Sequence, residues 1–237
     1  MIRAQGHQFV GASAWYHAPD SYLVADRQRG NAIVVGRHAA DLLACHLDEA
    51  ITFVRAEPAT PDTAGAILTA RGFELLGDWV WMYSDTPPPP QPGESNVTVM
   101  DLPPAERLSV QARCNPDTHV AADDDTWQWW GYNHREAGWV GLCAAEKLPA
   151  RSDRRYCRGA GVSLAGLGVD PQFRRSGIGS ALMAAVTRHY LTIAPVVHYG
   201  VWLTNTPALR AYRLLGVCDG QLVRGWRKPA AAASRLP

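Results

Sequence analysis

Five of the six residues from 87 to 92 are proline, and this run divides the sequence into two parts. Proline lacks a backbone N–H donor and fixes φ, so a helix or a central strand cannot continue through several prolines. Such a run favours an extended, semi-rigid polyproline conformation. We therefore predict three segments: an upstream lobe at residues 1–86, a linker at 87–95 and a larger domain at 96–237.

The length and composition of the chain agree with two folded units. At 237 residues the chain exceeds the common size of a single domain, which is about 100 to 150 residues. Hydrophobic residues make up 47% and charged residues 19%, a balance typical of globular proteins with a substantial core. The formal net charge is +1, which gives no basic excess for binding phosphate backbones, so we expect no nucleic-acid partner.

The cysteines and the N-terminus bear on metal binding and on location. The five cysteines lie far apart, with no Cys-x-x-Cys pair and no zinc-site spacing, so we expect reduced thiols and no bound metal. They are Cys45, Cys114, Cys143, Cys157 and Cys218. Residues 1–10 contain no apolar segment typical of a secretory signal, and no apolar stretch of about 18 residues occurs. We predict a cytoplasmic protein without a membrane partner.

Downstream of the prolines, the hydrophobic pattern alternates between strand and helix periods. The predicted strands are 96–102, 139–145, 156–169 and 197–203, and the predicted helices are 105–114, 179–190 and 207–215. Glycines in the third strand predict a bulge or a close backbone approach near Gly166 and Gly168. The acidic and aromatic segment 123–130 fits either a helix or a wall beside a site, and both remain open.

The upstream lobe repeats this order in a weaker form. The predicted strands are 31–35 and 51–56, and the predicted helices are 39–50 and 63–70. The two lobes therefore look like distant copies of one unit, although the order is common in α/β proteins and coincidence remains an alternative. The upstream loop Gly36-Arg37-His38 has none of the glycine pattern found downstream, so we expect no chemistry from the first lobe.

The strongest functional signal is the segment 167–182, where a predicted strand leads into a basic, glycine-rich loop that opens a helix. The first amide N–H groups of a helix lack partners and carry partial positive charge, so they bind anions such as phosphate. Gly177 and Gly179 leave space for a diphosphate, while Arg174 and Arg175 add positive charge at the rim.

Two common phosphate-binding motifs do not match this loop. A P-loop ends in Gly-Lys followed by Ser or Thr, which is absent here. A dinucleotide fingerprint needs a third glycine where Leu182 stands and an acidic residue about 20 positions further on. Neither requirement is met convincingly, so another class of phosphate-binding loop is indicated.

The loop resembles the pyrophosphate loop of the GNAT N-acetyltransferase superfamily. In that family a strand ending in Val-x-Pro precedes Arg or Gln, two free positions, Gly, one free position, and Gly or Ala. The corresponding residues here are Val169, Pro171, Arg174, Gly177 and Gly179.

A second stretch, residues 205–217, is similar to the Asn, Ala, Tyr and Gly-Phe signature of the same family. Asn205, Tyr212 and Gly216 stand at the family's spacings, and only Val217 departs from it, where Phe is usual. The two motifs occur in the family's order, and together the resemblance covers roughly residues 96–228.

The resemblance implies an α/β (α+β) protein with the GNAT fold. Its central sheet would be mixed, mostly antiparallel, splayed and flanked by helices, and a smaller GNAT-like half-lobe would precede it. The implied activity is direct transfer of an acetyl group from acetyl-CoA, as cosubstrate, to a primary amine in a ternary complex. The acceptor would be a small molecule or a protein, and the enzyme a monomer or a homodimer.

The same resemblance assigns roles to individual residues. The Leu167 N–H would polarise the acyl carbonyl and stabilise the oxyanion, and Tyr212 would protonate the departing thiolate. The residues implied to bind the cofactor are Leu167, Gly168, Val169, Arg174, Arg175, Ser176, Gly177, Ile178, Gly179, Ser180, Asn205 and Tyr212.

The general base and the acceptor site are less well marked. Many family members carry a Glu on the strand before the loop, but residues 163–166 offer no carboxylate. The remaining candidates for the base are Glu146, Glu136, His134 and His119. The family's acceptor wall would include Asp123, Asp124, Trp127 and Trp130, where carboxylates beside aromatic rings suit a cationic amine. A solvated acidic loop that caps a helix is the alternative for this segment.

Two other functions remain open at this point. The missing strand carboxylate and the weak first lobe fit a catalytically silent acyl-CoA-binding module, although such a module has no need of Tyr212 as an acid. An interaction protein that uses a tryptophan-rich surface is the third possibility.

Overall fold

The computed structural model describes residues 13–28, 30–58, 62–118, 120–148 and 161–229. His119, Cys157, the first ten residues and the predicted start of the strand at 156–160 lie outside these ranges. The upstream elements are β1 (Ser13–Ala18), β2 (Ser21–Asp26), β3 (Asn31–Val35), α1 (Ala39–His46), β4 (Phe53–Ala56), α2 (Asp62–Ala70) and β5 (Glu74–Ser84). The downstream elements are β6 (Val97–Val99), α3 (Pro104–Cys114), β7 (Gln128–His134), β8 (Gly138–Leu148), β9 (Gly161–Val169), α4 (Ile178–Leu191), β10 (Val197–Trp202), α5 (Thr206–Leu214) and β11 (Cys218–Arg227).

The chain forms two compact units. In their described parts, the downstream unit holds residues 81–201 and 205–220, and the upstream unit holds 13–80, 202–204 and 221–229. The chain passes between the units inside strands β5 and β11, and it also enters the upstream unit briefly at residues 202–204, at the end of β10. The first of these passages lies before the proline run, whereas the predicted boundary coincided with the run.

The downstream unit is built on strands in the order β6-β7-β8-β9-β10, with the end of β5 beside β10. Neighbouring strands from β6 to β9 are antiparallel, while β9 and β10 are parallel. Helix α3 covers one face of this sheet, where Leu142 and Ala144 join the core. Helix α4 covers the other face, where a Cβ on Gly141 would lie 2.9 Å from Leu182 Cδ1. This is the α/β arrangement of a mixed, mostly antiparallel sheet between helices that the sequence predicted.

The upstream unit follows the strand order β1-β2-β3-β4-β11. Strands β1 to β3 are antiparallel, β3 and β4 are parallel, and β11 returns antiparallel to β4. Leu43 of α1 and Leu68 of α2 are fully buried in its core. None of the helices in the described ranges is long and apolar enough to cross a lipid bilayer.

In both units a series of antiparallel strands, three upstream and four downstream, is followed by a parallel one. Each unit then takes a strand from the other half of the sequence. Strand β11 pairs with β4 in the upstream unit, and the end of β5 lies beside β10 in the downstream unit. The predicted strand-helix-strand-helix order is therefore found in both halves. Descent of the two units from one duplicated ancestor stays a prediction.

The helix predicted at 39–50 is wrong at its end. Helix α1 ends at His46, because Leu47 has an extended backbone with φ −73° and ψ 110°. Asp48 then stabilises a turn, in which its Oδ1 accepts the Ala50 N–H at 2.8 Å. A short polar side chain that bonds the backbone two residues on is a common way to end a helix early.

A hydrogen bond and an ion pair join the proline-rich segment to helix α4 of the downstream unit. The Arg188 guanidinium donates to the Pro88 carbonyl at 3.1 Å and forms an ion pair with Glu94. Glu94 also accepts the Gln91 N–H at 2.5 Å. The segment predicted as a linker is therefore held by a half-buried arginine near the end of the helix that opens with the glycine-rich loop.

Candidate active site

Strand β9 carries a bulge in the middle of its pairing with β8. The register shifts between Leu142 and Ala144, which pair with Gly168 and Ala165 respectively. Gly166 in the bulge has a φ of +66°, and a Cβ there would lie 3.2 Å from Thr118 Oγ1. The bulge predicted near Gly166 is therefore confirmed, and it needs glycine because its backbone is left-handed.

The close backbone approach predicted near Gly168 is also confirmed, but its cause is the end of helix α3. A Cβ on Gly168 would lie 2.6 Å from Asn115 Cβ and 2.7 Å from the Cys114 carbonyl oxygen. The Asn115 side-chain amide also donates to the Leu167 carbonyl at 3.0 Å. Gly168 thus allows α3 to fix the position of β9 just before the loop.

Strands β9 and β10 pair only at the start of β9 within the described residues. The three pairs are Val162 with Val197, Ser163 with His198 and Leu164 with Tyr199. Beyond Leu164 no further pair with β10 occurs in the described part of the chain, so the parallel strands diverge. We call the space that opens between residues 165–169 and the end of β10 the cleft.

Backbone N–H groups of β9 point into the cleft. Asp170 donates its N–H to the Val140 carbonyl of β8 at 2.9 Å. Because successive amides of a strand alternate in direction, the N–H groups of Val169 and Leu167 face away from β8, toward the cleft. These are the groups that the resemblance assigned to the pantetheine arm and the acyl carbonyl.

The loop after β9 is held by Asp170, which sequence analysis did not single out. Its carboxylate accepts the Gln172 N–H at 3.0 Å and pairs with Arg113 of α3 at 2.8 Å. Only 7% of Asp170 is exposed. The Arg113–Asp170 pair joins residues far apart in the sequence, so no local pattern could have revealed it.

At the start of helix α4 no side chain of the described residues caps the first amides of the helix. Gly177 has a φ of +86°, and the first intrahelical bond runs from the Ala181 N–H to its carbonyl at 2.9 Å. The N–H groups of Ile178, Gly179 and Ser180 therefore have no carbonyl in a preceding turn. A Cβ on Gly177 would meet no atom within 4 Å, so an anion can approach these amides directly. The local geometry is that of an anion-binding helix N-terminus.

The polar residues of the loop lie around this N-terminus and are exposed. Arg174 Nε donates to the Val169 carbonyl at 3.1 Å, and the Ser176 hydroxyl donates to the Phe173 carbonyl at 2.5 Å. Arg175 has a φ of +65°, a left-handed conformation that costs about 1 to 2 kcal/mol for a residue with a Cβ. Backbone strain of this kind is concentrated at binding sites, where the surrounding structure enforces it.

Helix α5 positions Asn205 and Tyr212. Asn205 caps the helix, since its Oδ1 accepts the Ala208 N–H at 3.3 Å. Tyr212 is buried, with 7% exposed, and its ring lies 5.5 Å from that of Tyr199. Burial raises the pKa of Tyr212 above the ordinary value for tyrosine, with a smaller contribution from Cys143, so the phenol stays protonated at neutral pH.

The loop before β7 lies beside the bulge. Buried Arg107 and Gln111 of α3 hold it by donating to the Ala122 and Val120 carbonyls at 2.5 and 2.6 Å. Val120 lies against the Cβ position of Gly166, so this loop forms a wall near the cleft. A groove of about 420 Å³ next to it is lined by Leu108, Gln111, Ala112, Pro116, Thr118, Val120, Ala121, Ala122 and Asp123.

The structure does not bring all four predicted acceptor residues together. Asp123 lines the groove, and Asp124 accepts two hydrogen bonds from Thr126 in a local turn, which fits the solvated-loop alternative. Trp127 packs with the core under α3. Trp130 lies on the other face of the sheet, where its indole N–H donates to the Tyr190 hydroxyl of α4 at 3.1 Å. The segment 123–130 is not a helix, because its last three residues begin β7.

The candidates for the general base lie in different places. His134 and Glu136 belong to the end of the β7–β8 hairpin, where the His134 ring lies 5.0 Å from that of Phe173. Glu146 on β8 is paired with Ser163 of β9. His198 of β10 pairs with Ser163 from the other side.

Comparison with known proteins agrees with this geometry. The model of the acetyltransferase (GNAT) family matches residues 97–217. No curated protein sequence matches the chain.

Solved structures share the fold at low sequence identity. A GCN5-related N-acetyltransferase from Kribbella flavida is 15% identical and has a TM-score of 0.61, with 100% of this chain and 99% of that chain covered. A GCN5-related N-acetyltransferase from Sphaerobacter thermophilus is 17% identical, with a TM-score of 0.53 and coverage of 90% and 78%. A Drosophila protein is 14% identical, with a TM-score of 0.62 and coverage of 88% and 74%.

Proposed function

The chain belongs to the acetyltransferase (GNAT) family, and from that premise we propose that it transfers an acetyl group from acetyl-CoA to a primary amine by direct attack within a ternary complex. The observation that carries this proposal is the exposed start of helix α4 at the mouth of the cleft. There Gly177 leaves open space in front of the backbone amides of Ile178, Gly179 and Ser180. A site of this kind suits a diphosphate joined to an extended arm.

The described residues fit acetyl-CoA in two respects. The diphosphate would be held by the α4 amides and the cationic rim of Arg174 and Arg175, and Ser176 and Gly177 would line its path. The pantetheine arm would lie along β9, where the Leu167 and Val169 N–H groups face the cleft. Bound acetyl-CoA supplies an activated acetyl thioester.

Two residues of this chain would act on the reacting group. The Leu167 N–H would donate to the acyl oxygen, an interaction worth about 2.7 to 4 kcal/mol per donor in other acyl-transfer enzymes. Tyr212 would give its proton to the sulfur, and its buried, protonated phenol suits this role. Asn205 would lie beside the arm, at the start of the same helix.

The acceptor proposed is a primary amine, on a small molecule or on a protein. Asp123 at the groove and the neighbouring carboxylates would attract a cationic amine as it approaches the cleft. Trp127 would add an aromatic face on the same side of the sheet.

Two measurements test the proposal. Calorimetry with acetyl-CoA should give one site per chain, and a mass-detected screen of amines with acetyl-CoA should yield an acetylated product. Binding without any product would favour the silent acyl-CoA-binding module. Failure of acetyl-CoA to bind, together with an unchanged melting temperature, would overturn the proposal and favour the interaction protein.

A further inference from the structure

In the described part of the chain, the middle of β9 pairs with neither neighbouring strand. Pairing with β8 skips Gly166 and Leu167, because the register shifts there. Pairing with β10 has already ended at Leu164. Gly166 also has a left-handed φ of +66°, and glycine adopts positive and negative φ about equally well. The pairing of β9 alone therefore does not fix the direction of the Leu167 N–H.

The end of helix α3 holds this part of β9 instead. Asn115, the residue that follows α3, donates through Nδ2 to the Leu167 carbonyl at 3.0 Å. Asn115 is itself fixed, because its backbone N–H donates to the Gln111 carbonyl at 2.7 Å. A Cβ on Gly168 would lie 2.6 Å from the Asn115 Cβ, so only glycine lets the two segments come this close. A side chain anchored at the end of a helix therefore fixes the position of the Leu167 carbonyl.

The carbonyl and the N–H of Leu167 lie on the same edge of β9. In an extended strand both groups of one residue point to the same side, and successive residues alternate between the two sides. The Asp170 N–H donates to β8, and Leu167 stands an odd number of positions before Asp170, so both groups of Leu167 face the cleft. The N and O atoms of one residue are joined through Cα and C alone. Asn115 therefore reaches the edge of β9 at which the acyl carbonyl of acetyl-CoA would lie.

We infer that Asn115 is a positioning residue for this acyl transfer, an assignment that rests on the proposed function. By bonding the Leu167 carbonyl, Asn115 sets the direction of the Leu167 N–H, which is the proposed donor to the acyl oxygen. In this role Asn115 acts through Leu167, and no proton moves along its hydrogen bond. Its contribution is to aim a donor before the reaction begins, because a donor that is already aimed needs no reorganisation in the transition state.

The hydrogen bond to the Leu167 carbonyl requires the amide group of asparagine. An amide NH₂ is a donor, whereas the ionised carboxylate of aspartate has nearly the same size but only accepts hydrogen bonds. Asn115→Asp therefore keeps the packing against Gly168 and sets an oxygen against the Leu167 carbonyl oxygen. Asn115→Ala removes the group altogether. In both variants the Leu167 carbonyl is released, and the direction of the Leu167 N–H changes with it.

The deciding experiment observes the carbonyl of bound acetyl-CoA, so that no acceptor needs to be known. A hydrogen bond to the thioester oxygen weakens the C=O bond and lowers its stretching frequency. Infrared difference spectra with acetyl-CoA that carries ¹³C at the acetyl carbonyl isolate this band. We expect the unmodified protein to lower the frequency below that of acetyl-CoA in water. Asn115→Asp and Asn115→Ala should lose most of this shift.

Kinetics provide a second measurement once the screen has found an amine. Removal of one oxyanion donor costs about 10²- to 10³-fold in kcat in other acyl-transfer enzymes, and a donor that is only misdirected should cost about tenfold. The acetyl-CoA dissociation constant, measured by calorimetry, should change less than about twofold, since the diphosphate contacts are untouched. A residue that served stability alone would change the melting temperature of the protein but neither the carbonyl frequency nor kcat.

Asn96→Asp is the matched control. Asn96 also donates through Nδ2, to the Tyr132 hydroxyl at 3.0 Å, but it lies just before β6, three strands away from β9 in the sheet. This variant should keep the carbonyl frequency and the kcat of the unmodified protein. A shift that survives in both Asn115 variants would overturn the inference alone. An unshifted carbonyl in the unmodified complex would remove Leu167 as the donor and overturn the inference with it. Failure of acetyl-CoA to bind the unmodified protein would instead refute the proposed function.

Discussion

The ring of Tyr212 lies 5.5 Å from the ring of Tyr199, with the two planes inclined by 41°. Tyr199 is itself fixed, because its hydroxyl is hydrogen-bonded to Thr187 at 2.6 Å. Helix α4, which opens with the glycine-rich loop, is therefore connected through Tyr199 to the phenol of α5. The proposed diphosphate site and the proposed acid are thus connected through one helix.

The buried thiol of Cys143, which lies beside these tyrosines, should make the stability of the protein depend on pH. Burial raises the pKa of Cys143 to about 12, whereas a cysteine in an unfolded chain has a pKa of about 8.5. Above about pH 9 the unfolded chain therefore loses this proton first. The free energy of unfolding should fall by up to about 1.4 kcal/mol per pH unit between these values.

Urea denaturation at several pH values from about 8 to 11 tests this expectation. Cys143→Ala should remove the part of the slope that begins near pH 9, although it also lowers stability by a constant amount through lost packing. Cys45→Ala changes an exposed thiol and should keep the original slope. Equal slopes in all three proteins would show that Cys143 does not titrate as its burial requires.

Local patterns in the sequence were enough to predict the helix that carries the site. Leu182, Met183 and Val186 stand at helical spacing, and all three are buried in α4, which runs one residue beyond the prediction at each end. The glycine pattern likewise predicted the bulge at Gly166. Periodicity and backbone conformation are properties of neighbouring residues, so a single sequence contains them.

Features that depend on distant pairing could not be predicted in this way. Strand β11 pairs with β4, and no periodicity within either strand indicates which partner it takes. Conversely, residues that are close in the sequence can lie far apart in the fold. Trp130 is near Trp127 in the sequence, but the alternation of side chains along β7 places Trp130 on the α4 face of the sheet.

Substitution of Gly177 tests the prediction that acetyl-CoA binds at one site, the glycine-rich loop. Gly177→Glu places bulk and negative charge against the diphosphate, so acetyl-CoA affinity should fall at least about tenfold. Gly72→Glu is a matched control, since Gly72 has a φ of +79° and its Cβ position is equally open. Both variants should lose about 1 to 2 kcal/mol of stability through the left-handed backbone, but only the first should lose binding.

The same titration tests the upstream unit. Near the start of α1 the His38 N–H already donates to the Ser21 hydroxyl at 3.0 Å, and Asp41 puts negative charge in the first turn. An anion is therefore disfavoured there, and calorimetry should find one site per chain. Two equal sites, or binding that survives Gly177→Glu, would contradict this prediction.

Replacing Arg175 should make the protein more stable but should weaken its binding of acetyl-CoA. Asparagine adopts the left-handed conformation more readily than arginine, so Arg175→Asn should raise the free energy of unfolding by up to about 1 kcal/mol. Loss of the exposed charge should weaken acetyl-CoA binding about two- to fivefold at low salt, and less at high salt. Arg37→Asn removes another exposed guanidinium and should leave binding unchanged. A tighter complex after Arg175→Asn would remove Arg175 from the site.

The acidic segment should select the acceptor if it lines the site. Replacing Asp123, Asp124 and Asp125 by Asn keeps the oxygen that accepts from Thr126 and removes only the charges. With the amine found by screening, the acceptor KM should rise while the acetyl-CoA dissociation constant stays the same. Unchanged kinetics would mean that these carboxylates belong to a solvated loop.

The last prediction concerns Tyr212, because a test of its role distinguishes an enzyme from a binding module. Tyr212→Phe keeps the ring packed on Tyr199 and removes only the proton donor, so stability and acetyl-CoA affinity should hardly change. General acid catalysis contributes about 10²- to 10⁴-fold, and we expect a kcat loss at the low end, because water can protonate a thiolate in its place. Tyr199→Phe is the matched control: it loses the bond to Thr187 and about 0.5 to 1.5 kcal/mol of stability, but should keep kcat. If Tyr212→Phe keeps full kcat while chemistry limits the rate, Tyr212 only packs, and the proton comes from another group.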